Sequence, residues 1–261
     1  MTVCKHELKQ GRLSLVIWTA AISLMIGLCI LIYPEMGSQM EDFSAIFADM
    51  GSFTAAFGMD KINFGEFIGF FGVECGNVLG LGGAFFAALI GISALAKEEK
   101  EHTAEFLLTH PISRTRVLAE KLLAVVLQIL ILNAVVAAVC AGCIRWIGED
   151  VEWKPLALVL TANLLMQLEI CAVTFGISAF VRHSGLGIGL GLAAVFYFLN
   201  IVANLTEKAR FLKYFTPFGY TDSADIISEC TLNGSLLAVG MALGAAGILA
   251  AFRKYTKKDI A

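Results

Sequence analysis

The sequence predicts an all-α membrane protein with six transmembrane helices, and three observations support this. The first is composition. Of 261 residues, 58% are hydrophobic and only 16% are charged, against about 45–50% and about 25% in soluble domains. Mean hydropathy is +0.78. The second is run length. Apolar stretches extend from Leu13 to Pro34, Cys75 to Ala96, Leu122 to Ile144, Pro155 to Val181, His183 to Thr206 and Cys230 to Phe252. Each is roughly 20 residues or longer, enough to cross a ~30 Å hydrocarbon core as a helix.

The third observation is where the basic residues fall. With both termini on one side, that side holds 13 of them: Lys5, Lys9, Arg12, Lys97, Lys100, Arg114, Arg116, Lys121, Arg182, Arg253, Lys254, Lys257 and Lys258. The other side holds 6: Lys61, Arg145, Lys154, Lys208, Arg210 and Lys213. Short basic loops stay in the cytoplasm, so both termini and the 97–117 segment are expected there. The whole chain, 1–261, reads as one transmembrane domain with spans at about 13–33, 67–96, 118–144, 155–181, 185–204 and 232–252. The net charge of −3 hides this split and gives no reason to expect a nucleic-acid partner.

Taken in order, residues 1–13 set Lys5, Glu7, Lys9 and Arg12 among Val3, Leu8 and Leu13. That pattern suits a short amphipathic helix lying on the inner membrane surface. The first apolar run is too long for a removable signal peptide and lacks a small-residue cleavage site. Residues 35–65 form an acidic outer segment in which Phe43, Ile46, Phe47 and Met50 keep helical spacing, so part of it should lie at the outer interface. The second span is glycine-dense, with Gly65, Gly69, Gly72, Gly76 and Gly80 on nearly one face; Gly187 and Gly191, and Gly240 and Gly244, repeat the spacing. Such faces let helices approach closely, either within the bundle or at a dimer seam.

Cys140 and Cys143 form a C-x-x-C near the outer end of the third span, but no second pair or nearby His completes a ligand set, and no metal site is expected. Residues 204–232 carry Phe211, Tyr214, Phe215, Phe218 and Tyr220, which suit an interfacial aromatic cluster. Pro217 argues against a continuous helix there.

Glu74 and Glu169 are the two carboxylates expected inside spans. Each costs about 2.5–3.5 kcal/mol at a helix centre, so each is a functional candidate by default. Asn77 lies one turn beyond Glu74, and Asn163 and Gln167 lie one turn apart on the fourth span, with Asn133 and Asn200 elsewhere. Two readings compete. The set is either a polar route with a proton-sensing pair, or hydrogen-bonded glue between helices; the second is favoured.

Covalent chemistry finds little support. The sequence has no G-x-x-x-x-G-K-[ST], and no Gly precedes a Lys, so no phosphate loop of that type is present. His6, His102, His110 and His183 all fall outside the apolar cores, which disfavours an intramembrane metalloprotease. No catalytic residue is assigned.

The polar stretch from Lys97 to Arg114 is the most specific part of the chain. A short helix from about Glu98 to Thr109 is expected, ended by Pro111 because the residue before proline avoids the α region. Glu98, Glu99, Glu101 and Glu105 are biased to its start, where the helix dipole favours them. Thr103, Phe106, Leu107 and His110 form a compact ridge suited to a groove in a partner. Glu98-Glu99, Thr103, Glu105, Leu107-Leu108, Pro111, Ser113-Arg114 and Lys121 resemble the pattern that follows the second span in ABC-2 type transporter permeases. That pattern runs roughly E-E, G-T-x-E-x-L-L, P-x-S-R, then a Lys opening the next span. Lys5 to Lys9, with Arg12 and Trp18, resembles the family's opening as well. His102 departs from it, standing where many members carry Gly.

The resemblance implies a multi-pass subunit of a bacterial plasma membrane, six helices per subunit. It pairs with a second permease subunit, identical or homologous, among membrane lipids. A separate ABC ATPase would dock beneath each through the 97–114 segment, so ATP and Mg would sit in that partner and no cofactor in this chain. The alternatives are a proton-coupled secondary transporter using Glu74 and Glu169 and, with less support, an intramembrane enzyme. No residue selects a cargo.

Overall fold

The computed structural model describes residues 2–49, 54, 63, 66–100, 113–181 and 185–257, and their side chains except in 37–49 and 97–100. Every regular element among them is a helix, and six are long and apolar enough to cross a membrane. They are α1 (Thr2–Asp49), α2 (Phe67–Cys75, continued through Gly76–Leu81 and Gly82–Lys100), α3 (Arg114–Ile147), α4 (Trp153–Ser178), α5 (Leu186–Leu205) and α7 (Gly234–Lys257). A short α6 (Ser223–Glu229) precedes the last of them.

Local sequence accounts for the breaks. Ser113 caps α3 by accepting a hydrogen bond from the Arg116 N–H, and Gly148 ends it at a φ of 72°, a left-handed conformation that favours glycine. Pro155 falls in the first turn of α4, where its missing N–H costs little. Within α2 the stretch Gly76–Leu81 is π-helical, a form that inserts one residue and frees backbone groups for side-chain partners.

Two sequence expectations change at α1. The polar opening is helical, but it runs unbroken into the first span instead of lying as a separate surface helix. Nothing between residues 2 and 33 breaks a helix, and its first turns are held against α3 as described below. The helix also continues through Pro34 to Asp49, so the residues expected at an outer interface prolong the same element.

Burial sorts centre from edge. In their most apolar windows α2 is 61% and α4 56% buried, against 17% for α5 and 22% for α7. Packing matches: α4 lies against α2 and α7, α5 also packs on α2, and α1 runs along α3. The core is built on Phe71, Phe86, Ile129, Leu132 and Phe175, while Leu13, Leu24, Phe198 and Leu249 point outward. In a span, outward apolar side chains face lipid.

The glycine faces divide the same way. Gly176 and Gly247 meet backbone to backbone where α4 crosses α7, whereas Gly187 and Gly191 face open space. The first pair is bundle packing. Gly187 and Gly191 meet nothing among the described residues.

The segment between α5 and α7 departs most from expectation. It does not rest wholly at an interface. Two 3₁₀ turns, Glu207–Phe215 and Pro217–Tyr220, carry it back along α5, and the Thr216 hydroxyl donates to the Phe196 carbonyl at 2.8 Å. Phe196 lies nine residues before the end of α5, roughly 13 Å down the helix. The aromatic cluster therefore splits. Phe211, Tyr214 and Phe215 stay exposed, while Phe218 and Tyr220 are buried, Phe218 edge-on to Tyr197. Lys213 bridges the two limbs, paired with Asp222 at 3.2 Å and Asp225 at 3.4 Å.

Candidate functional site

The expected partner-binding segment falls mostly outside the described residues: Thr103, Glu105, Phe106, Leu107, Leu108, His110 and Pro111 are there. Glu98 and Glu99 belong to the last turns of α2 without described side chains, and Arg114 is the first residue of α3. The structure does show what holds the two roots of that segment.

Lys121 sits about two turns into α3 and is 1% exposed. A buried ammonium is tolerated only when paired and hydrogen-bonded. Its Nζ meets Glu7 Oε1 of α1 at 2.7 Å and donates to the Ala94 carbonyl of α2 at 2.9 Å. One side chain thus ties together the first three spans, just where the chain leaves α2 and enters α3. Glu120, its neighbour, accepts from the Val3 and Cys4 N–H groups at 3.0 and 3.3 Å, and pairs with Arg116 at 3.1 Å. The carboxylate thereby satisfies free N–H groups in the first turn of α1, where the dipole also favours a negative charge.

Sequence reasoning used Lys121 for topology and as part of a motif, and Glu7 as part of an amphipathic opening; it did not foresee their pairing and did not single out Glu120. The available signal was a Glu-Lys pair at the very edge of an apolar run, a position where charges have few partners besides neighbouring helix ends.

Deeper in the bundle the polar residues fall into three groups. In the first, Asn133 of α3 donates to Gln167 Oε1 of α4 at 2.7 Å, and Gln167 Nε2 donates to the Leu79 carbonyl in the π-helical stretch at 3.3 Å. Gly83 makes room for this, since a Cβ there would overlap the Gln167 amide. In the second, Tyr197 donates to Asn77 at 3.3 Å beside a cavity of about 60 Å³, which Asn200, Asn204 and Ser223 also line. The Ser223 hydroxyl donates to the Gly72 carbonyl at 2.7 Å, tying α6 to α2. Among the described residues Asn163 bonds only within its own helix, to Val159, and its Oδ1 has no partner.

The third group is Glu169. It is 5% exposed, and its carboxylate faces the hydroxyl of Tyr220, with no close hydrogen bond to either group among the described residues. Its carboxylate lies over Gly240 of α7, where a Cβ would overlap it. Glu74 is elsewhere: half-buried, it accepts a weak 3.6 Å hydrogen bond from Cys29 of α1. The two carboxylates thus face opposite neighbours and form no pair. Among the described residues no cluster of His, Cys, Asp or Glu could hold a metal, and Cys140 and Cys143 are free thiols.

Six apolar spans and charged roots flanking a polar segment are what the resemblance implies, and the comparison with protein families decides the matter. The model of the ABC-2 family transporter proteins matches residues 1–259. The chain belongs to that family. No curated protein matches it. As an ABC-2 family member it is a multi-pass membrane transport component, and the family works in general with ABC ATPases. Lys121, Glu7 and Glu120 lie where α2 ends and α3 begins, at the roots of the 97–112 segment.

Proposed function

We propose that the chain is the membrane subunit of an ATP-driven exporter in a bacterial plasma membrane. It works with a second permease subunit and is driven by separate ATPases docked at the cytoplasmic 97–114 segment. The observation that carries this reading is the Lys121 tie. A loop that needed only to connect two helices has no use for a buried ammonium joining three of them at its roots. A lever that must move α1, α2 and α3 together does. ATP binding closes the two ATPases, the docked segments follow, and the spans exchange inward for outward access.

Expression with an adjacent-gene ATPase that carries a phosphate loop tests this reading. The expected result is a co-purifying complex with two copies of each subunit, whose ATP hydrolysis depends on the membrane subunit. A permease that purifies alone, and transports without ATP, would overturn it.

A second reading has one observation in its favour. Glu169, buried with the Tyr220 hydroxyl facing it, suits a carrier that picks up a proton. Glu74 lies against Cys29 of α1 and Glu169 against Gly240 of α7, so this reading rests on Glu169 alone.

A further inference from the structure

On its membrane-facing side the bundle has a crevice that neither the coupling roots nor the polar core uses. α5 packs mainly on α2 and on the first 3₁₀ turn, and α7 mainly on α4, so the two stand apart. The gap is a cavity of about 480 Å³, within the size range of ligand sites. Ile177 and Phe180 line it from α4, Phe196 from α5, Leu243 and Ala250 from α7, and Phe215 of the returning segment closes its far end. At hydrocarbon depth an apolar space open to the side has no water to fill it. The material that surrounds it is acyl chain.

The mouth adds selectivity. Lys254, in the last turn of α7, holds its ammonium 5.7 Å from the centre of the Phe180 ring, a cation–π placement at the end of the crevice. It has no acidic partner among the described residues. Phe180 lies two residues past the end of α4, on the side that carries Lys121 and Arg253, so the charge stands at the level of lipid headgroups. We infer that this crevice between α4, α5 and α7 is a binding site for one anionic phospholipid, its acyl chain under Phe215 and its phosphate at Lys254. The site needs neither the ATPase nor the exporter reading, so it stands or falls separately from them.

Native mass spectrometry of the detergent-purified full chain tests it, with phosphatidylglycerol and phosphatidylcholine of identical acyl chains titrated in turn. One lysine near an anionic lipid confers roughly a five-fold preference, and that is the expected excess of phosphatidylglycerol bound. Lys254→Gln should bring the two lipids level, and Lys257→Gln, in the same last turn, should leave the preference intact. Ala250→Trp, filling the crevice, should lose both lipids. Lys254 is exposed, so its variant carries the test even where Ala250→Trp fails to fold. Equal retention of both headgroups by the unmodified chain, or a preference that survives Lys254→Gln, overturns the proposal.

Discussion

Replacing Lys121 by Met is the sharpest perturbation of the coupling end. Methionine keeps most of the volume and removes the charge, leaving the Glu7 carboxylate and the Ala94 carbonyl without the ammonium they share. Breaking a buried ion pair from one side costs about 3–5 kcal/mol. Glu7 retains 21% exposure, so water recovers part of that cost, and the expected loss is about 2–3 kcal/mol. Glu7→Gln, which keeps an acceptor, should cost about 1 kcal/mol. The assay is thermal unfolding in detergent for both single variants and the double variant, read as a double-mutant cycle. The double variant should fall short of the sum by about 1 kcal/mol or more, because the second change removes a contact already lost. Transport should drop further than ATPase association, since the partner still docks but pushes on loosened spans. Additive effects, or a Lys121→Met chain that unfolds and transports like the unmodified one, would refute the claim that this side chain joins the three helices.

Three further outcomes follow from the same geometry. Glu169→Gln should retain most transport with little dependence on pH; loss of transport in a normally assembled variant would move the proton-coupled reading ahead. Gly83→Leu should destabilise by about 1–3 kcal/mol through collision with the Gln167 amide, while Gly142→Leu, facing open space, should be near neutral in the same unfolding assay. Single-cysteine labelling should tag positions 45 and 210 from outside the cell, and position 105 only after permeabilisation.

The parts of the fold that run length and basic asymmetry can encode were legible. Twenty apolar residues must cross a bilayer as a helix, so the six spans followed from counting. Where an apolar run stops being a span is not a matter of hydropathy: α1 continues past Pro34 because a single proline costs one hydrogen bond in a helix otherwise well supported. The return of residues 207–220 into the bundle was hidden for a related reason. Phe, Tyr and Pro serve equally at an interface and in a core, and only the Lys213 pairing and the Thr216 bond to Phe196 fix the depth. The intramembrane polar residues were legible as a set and not as a network. Sequence puts Asn163 and Gln167 one turn apart, but the partners of Gln167, Leu79 and Asn133, depend on how α2 and α3 are rotated. Glu7 was read as part of an amphipathic surface helix and Glu120 was not singled out, because nothing in one helix reveals that another ends beside it.

The central claim is that the 97–114 segment takes force from an ATPase and passes it to the bundle through its roots. Phe106→Ala tests it most directly. A buried aromatic anchor in a partner groove costs about 2 kcal/mol or more on truncation. Association with the ATPase, measured by titration of the purified subunits, should therefore weaken roughly 30-fold, or ATP hydrolysis should continue without transport. The thermal stability of the six-helix bundle should be unchanged, and Glu101→Ala should do much less. A Phe106→Ala chain that binds its ATPase and transports as before would contradict the account.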